Sequence, residues 1–184
     1  MWLSEKKILL LYDTSYRSIK PPHFIMQTKN KCVPHALRNY LLYLIKIGKL
    51  PNTIESRVLS LDISGICNRY GMSLDIDINP GCNDGGMYVE DVWKHCPGDL
   101  KKTINFEWKA YNYFYNERSK LYDIVKKQTN GCIVSCNGHA FVIIDNYNGK
   151  FITINSNNKY GYGTIKESSL KTEIEVVCFF DLQI

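Results

Sequence analysis

Cys32 is followed by Val33, Ala36, Leu37, Tyr40, Leu41 and Leu44, apolar residues at helical spacing, so the chain enters a helix immediately past a cysteine. Pro34 suits a first turn, where its missing N–H has no intrahelical partner anyway. A helix start carries partial positive charge and unpaired N–H groups. Both favour a thiolate over a thiol and can bind an oxyanion formed beside it. Gln27, upstream in a polar segment, is placed to supply a side-chain N–H to the same oxyanion. The plainer reading of Cys32 is a small buried residue opening an ordinary core helix.

Other reactive side chains have weaker contexts. His35 lies three residues further along the same helix and points away from a thiol at its start, as a surface or internally satisfied histidine. Cys132-x3-Cys136-x2-His139 has the look of a partial zinc site, but it lacks a fourth ligand at sensible spacing, so no metal is expected. Trp93, Trp108, Tyr111, Tyr113 and Tyr115 read as core and sheet packing instead of a platform for stacked bases.

These residues need elements to hold them. Residues 7–12 read as a buried strand, and residues 12–26 as an irregular stretch punctuated by Pro21 and Pro22. The Cys32 helix runs to about Gly48, a C-cap, followed by a turn through Asn52. Residues 56–70 fit a short helix or a strand, and residues 71–86 are loop-like. A second helix is expected from Tyr88 to His95, stopped by Pro97-Gly98. A strand or strand pair then covers residues 103–118, and a helix runs from about Lys120 to Gln128. From Cys132 on, β-rich runs separated by Asn-Gly turns at 137–138 and 148–149 make the C-terminal third a sheet.

The 184-residue length suits one domain, 1–184, with a helical half over about 12–100 and a β-sheet half over about 101–184. No apolar run approaches a membrane span, and residues 7–12 are too short for a signal-peptide core. The net charge of +5 comes from lysines scattered in pairs, which makes no nucleic-acid surface. Seven cysteines without CxxC pairs imply reduced thiols, no structural disulfide and a reducing compartment, cytoplasmic or virion-associated. A composition rich in Lys, Asn, Ile and Tyr and poor in Arg resembles the product of an AT-rich genome: a phage, another virus or a low-GC bacterium.

Several separate stretches resemble the papain-like cysteine peptidases. Tyr12-Asp13-Thr14-Ser15-Tyr16-Arg17 is similar to the Asp-Trp-Arg opening of those enzymes. Gln27 through Cys32 stands where they have the oxyanion glutamine and the nucleophile. Gly81-Cys82-Asn83-Asp84-Gly85-Gly86 is similar to their substrate loop, with one residue inserted. Gly138-His139-Ala140-Phe141-Val142 resembles the catalytic-histidine strand, and Asn155-Ser156 with the glycines after it resembles the Asn-Ser-Trp-Gly segment. The resemblance spans roughly residues 12–165.

What it implies is an α+β fold, helical half first and antiparallel sheet second, with a cleft between them. The implied activity is hydrolysis of peptide or isopeptide bonds through a thioester on Cys32, without cofactor or metal. His139, starting a strand after an Asn-Gly turn, can project toward the Cys32 helix and take the thiol proton. Asn155, ending the next strand, can lie beside His139 and fix its ring by a hydrogen bond. The resemblance places Gly85 and Gly86 against the substrate backbone. Met87 and Tyr88 then wall an apolar pocket for the side chain two positions before the cut bond. The family's tryptophan after the nucleophile is Val33 here, and the one after Asn-Ser is Asn157, so the apolar cover over the His–Asn bond is missing or differently supplied. That keeps two alternatives open: a papain-like scaffold without turnover, acting as a structural or binding component, for example of a phage particle, and a Cys-His acyltransferase. Oligomeric state is not encoded in any of these features.

Overall fold

A computed structural model describes residues 20–27, 31–63, 65–66 and 87–182. The strand expected at 7–12, the Tyr12–Arg17 stretch, the loop 71–86 with Gly81 through Gly86, and Cys67 and Cys82 lie outside the described residues.

The helix after the candidate nucleophile, α1, spans Cys32–Lys46. Gly48 follows with φ 77°; its N–H reaches the Ile45 carbonyl and the Lys49 N–H the Leu44 carbonyl at 2.8 Å. This is a Schellman stop, and its left-handed residue is why glycine stands there. The apolar spacing predicts burial of one face, yet His35, Arg38 and Asn39 are buried too. Part of the reason is the segment before the helix, which folds over it: Arg38 Nη1 donates to the His23 carbonyl at 2.9 Å. A charged hydrogen bond of this kind offsets part of the cost of burying the guanidinium.

A 3₁₀ turn at Asn52–Ile54 leads into α2, Glu55–Leu59, so the stretch beginning at residue 56 starts as helix. The helix expected from Tyr88 to His95 is absent. Val89–Asp91 forms a 3₁₀ turn, and later N–H groups also reach back three residues. The Glu90 carbonyl, which a continuing α-helix needs, accepts the Trp108 indole N–H at 3.1 Å instead. Pro97-Gly98 begins an unforeseen helix, α3, Gly98–Thr103.

Residues 103–118 supply one strand, β1, Glu107–Asn112, and helix α4 follows at Arg118–Lys127. Then come β2, Cys132–Cys136, β3, His139–Tyr147, and β4, Lys150–Ile154. Asn137 and Gly138 have φ of 50° and 73°, and Asn148 and Gly149 have 49° and 75°. Two left-handed residues in succession make the tight hairpin turn that Asn-Gly favours. The chain ends in β5, Tyr162–Lys166, helix α5, Glu167–Glu173, and β6, Ile174–Asp181.

Among the described residues six strands pair antiparallel in the order β1-β6-β2-β3-β4-β5. The last strand therefore inserts between the first two, which no local pattern announces. All five residues of β2 are buried. On one face α1 docks through Tyr40, whose ring stacks on Phe180 at 5.9 Å and whose hydroxyl accepts the Phe180 N–H at 3.1 Å. Tyr43 donates to the carbonyl of Ile144, the residue skipped where the β3–β4 register shifts. These contacts hold the second half of α1 against β6 and the middle of β3. The fold is α+β, with helices in the N-terminal half and an antiparallel sheet in the C-terminal half. Among the described residues no helix is long and apolar enough to cross a membrane.

Candidate active site

Cys32 is the first residue of α1, and the preceding Lys31 provides no side-chain cap. The Lys31 side chain therefore takes none of the first-turn N–H groups. The Cys32 thiol is only 7% exposed and takes the Ala140 N–H at 3.5 Å and a hydrogen bond with the His139 side chain. Burial by itself pushes this thiol up. The His139 hydrogen bond, the Ala140 N–H, the charge on His139 and the residue's own N–H outweigh it, so Cys32 ionises below its ordinary range.

His139 opens β3 directly after the Asn137-Gly138 turn. Its hydrogen bond with Cys32 raises its pKa; burial opposes this, and the bond to Asn155 and the Cys32 charge add to it. The two shifts run toward each other, the direction that favours a thiolate beside an imidazolium. Nε2 of His139 lies 2.7 Å from Asn155 Oδ1. Since an amide oxygen only accepts, Nε2 is the protonated donor, which leaves Nδ1 as the ring's other hydrogen-bonding atom for the thiol. The same Asn155 oxygen takes the Asn157 N–H at 3.0 Å.

Gln27 reaches this cluster through Ser156. Its N–H donates to the Ser156 carbonyl at 2.9 Å, and Ser156 Oγ donates to Gln27 Oε1 at 2.6 Å. With the amide oxygen engaged, the amide nitrogen keeps its donors for another acceptor. The segment before Gln27 is held by close packing, since a Cβ on Gly161 would stand 2.3 Å from Pro21 Cδ. Ser156 is buried, and its part was not foreseen, although it adjoins Asn155.

Phe141 was also missed. It is two residues after His139 on β3, hence on the same side of the strand, and its ring stacks on the imidazole with centroids 6.1 Å apart. Phe141 thus supplies apolar cover to the histidine, while Asn157, in the tryptophan position, is exposed.

Met87 and Tyr88 line a cavity of about 230 Å³ together with Cys32, Tyr113, Phe114 and Val176. The expected apolar character is qualified by two carboxylates, Glu90 and Glu175, in the same lining. Gly85 and Gly86 lie outside the described residues.

The remaining candidates stay apart from this cluster. Of the two settings expected for His35, surface or internal, it takes the internal one: it is buried, and burial with the nearby charges of Arg38 and Lys31 pulls its pKa down to about 4, so it is neutral. Cys132 and Cys136 are buried free thiols in β2, both pushed up by burial, Cys136 to about 12. Among the described residues no group of three His, Cys, Asp or Glu side chains could hold a metal ion.

The helix-borne cysteine, strand-borne histidine and following asparagine stand in the order that the papain-like resemblance implies. No protein-family model and no curated protein matches the sequence. Among solved structures the chain is similar to a double glycine motif protease from an AMS/PCAT transporter, crystallised in complex with the leader peptide. The identity is 19%, covering 91% of this chain and 94% of that one, with a TM-score of 0.49. Likeness at that level carries no functional weight.

Proposed function

We propose that this protein is a papain-like cysteine peptidase that cleaves peptide or isopeptide bonds through a thioester on Cys32. The observation that carries this reading is the hydrogen-bonded series Cys32–His139–Asn155, in which the thiol is lowered and the imidazole raised. The Cys32 thiolate attacks the carbonyl carbon, forming the C–S bond and an oxyanion. The Gln27 amide and the first-turn N–H groups of α1 donate to that oxyanion. His139 passes its proton to the amine nitrogen as the C–N bond breaks, leaving the acyl group on sulfur. His139 then takes a proton from water, the hydroxide attacks the thioester, and the thiolate leaves. Asn155 holds the ring throughout and does not ionise. None of these steps draws on a metal or a cofactor. The working thiolate fits a reducing compartment, cytoplasmic or virion-associated, and the composition fits an AT-rich genome, whether of a phage, another virus or a low-GC bacterium.

The scaffold alternative rests on the two absent tryptophans. Phe141 stacked on His139 favours the enzyme, because it packs an aromatic ring against the imidazole where the two tryptophans are lacking. The decisive experiment is to label the intact protein with an epoxysuccinyl-type electrophile, map the modified cysteine by mass spectrometry, and assay cleavage of a peptide library. Labelling confined to Cys32, with library cleavage, is expected. Labelling shared evenly among the cysteines, without cleavage, would overturn the reading in favour of the scaffold. Cys32 labelling with acyl transfer to an added amine but no hydrolysis would make it an acyltransferase.

A further inference from the structure

Between β2 and β6 the register steps from Ser135↔Val176 to Cys136↔Ile174, so Glu175 has no partner on β2. It is the extra residue of a β-bulge, a device that bends a strand and re-aims one side chain. The Glu175 carbonyl accepts the Tyr113 N–H at 2.8 Å, outside the β2 ladder. Its side chain turns the other way: Oε1 accepts the Gly138 N–H at 2.7 Å. Gly138 is the second residue of the left-handed turn, and the next residue is His139. Asn137 and Gly138 are both exposed, so little packing holds the tip of this hairpin. A carboxylate on a backbone N–H is among the stronger hydrogen bonds and fixes direction as well as distance.

We propose that Glu175 is a positioning residue, which the bulge in β6 aims at the Gly138 N–H so that the hairpin tip holds His139 against Cys32. This rests on the reading of Cys32 and His139 as the working pair. Glu175 acts through its hydrogen bond and not through net charge. Arg118 and Glu173 are also close by. The Arg118 guanidinium donates to the Ile174 carbonyl at 3.0 Å and lies over the Tyr113 ring, while both carboxylates and the guanidinium bear on Cys136. A glutamine at 175 keeps an acceptor oxygen at the same reach and loses the charge. A threonine keeps the strand but cannot reach Gly138.

The test measures the rate at which iodoacetamide alkylates Cys32, mapped by mass spectrometry, across the pH range in the parent protein and in His139→Ala, Glu175→Gln and Glu175→Thr. In the parent, reaction on the acid side of neutrality depends on His139 and disappears in His139→Ala. Glu175→Thr is expected to lower that acid-side rate about tenfold and move the profile toward that of a free thiol, as loosened catalytic geometry does. Glu175→Gln should stay within about twofold of the parent, because the Gly138 N–H keeps its acceptor. Thermal melts establish that each variant is folded, and Glu175→Ser replaces the threonine variant if that one melts early. A parental profile in the threonine or serine variant overturns the inference and leaves the Cys32–His139 pair standing. Equal damage from glutamine and threonine overturns it as well, because charge would then be the acting feature. If His139→Ala matches the parent, the pair itself is wrong and both proposals fall.

Discussion

Two cysteines neighbour His139, and they are built for opposite ends. Cys136 sits across from it in the β2–β3 register, at the end of a strand buried along its whole length. Cys32 meets it through side chains from the first turn of a helix. The two are equally hidden, at 6% and 7% exposure, so burial does not distinguish them. Burial pushes the Cys136 thiol to about 12, and the Glu173 and Glu175 carboxylates push the same way against Arg118. Cys32 suffers the same burial but gains hydrogen bonds and a positive partner, and falls below its ordinary range. A reactive thiol is therefore made by donors aimed at the sulfur, and a neighbouring histidine helps only the cysteine that its ring faces.

The largest expected effect separates the two directly. Cys32→Ala should abolish both epoxysuccinyl labelling and peptide turnover with the fold intact, as judged by circular dichroism. Cys136→Ala should leave labelling unchanged, since its thiol stays protonated. Labelling that moved to Cys136 in the first variant would break the comparison. Next is His139→Ala, which removes both the base and the hydrogen bond holding the thiolate. Peptide turnover should fall about 10²–10⁴-fold, and alkylation of Cys32 should shift to alkaline pH. Gln27→Ala should cost about 10²–10³-fold in turnover while leaving alkylation unchanged, because a small electrophile forms no oxyanion there. Equal losses in both assays would show that Gln27 acts on the thiol and not on the substrate.

The histidines sharpen the same lesson. His35 is buried beside positive charge and lowered from 6.5 to about 4, whereas His139 is raised by its partner. A base with a lowered folded pKa is protonated first in the unfolded chain as pH falls. Its stabilising contribution is thus complete above 6.5 and is lost as pH drops toward 4. The loss is on the order of 3 kcal/mol at most, measurable by denaturant unfolding, and should be absent in His35→Gln. The smallest effect is expected from Gly161→Ala. At φ 79° and with Pro21 in the way of a Cβ, the substitution should destabilise by about 1–3 kcal/mol. It should also lower turnover by displacing the segment that carries Gln27. Urea melts and peptide assays check the two parts.

Much of the site was legible because its signals are local. The apolar spacing after Cys32 and the glycine at 48 delimit α1, and two Asn-Gly pairs place both hairpin turns, since each needs only neighbouring residues to be energetically decided. The Tyr88–His95 segment failed for the complementary reason: a distant indole, Trp108, takes the carbonyl that a helix there would have used. His35 likewise reads as a surface or self-satisfied residue until the rest of the chain closes over its helix.

The sequence by itself determined which residues were available for chemistry and the short elements that present them: a thiol at a helix start, an imidazole at a strand start, an amide just beyond the next strand. Only the tertiary structure decided which groups meet. The insertion of β6 between β1 and β2, the bulge that turns Glu175 onto Gly138, the stacking of Phe141 on His139 and the anchoring of Gln27 by Ser156 are contacts between distant parts of the chain. Their energies depend on closing loops and excluding water around the assembled sheet, and no stretch of residues carries that information alone.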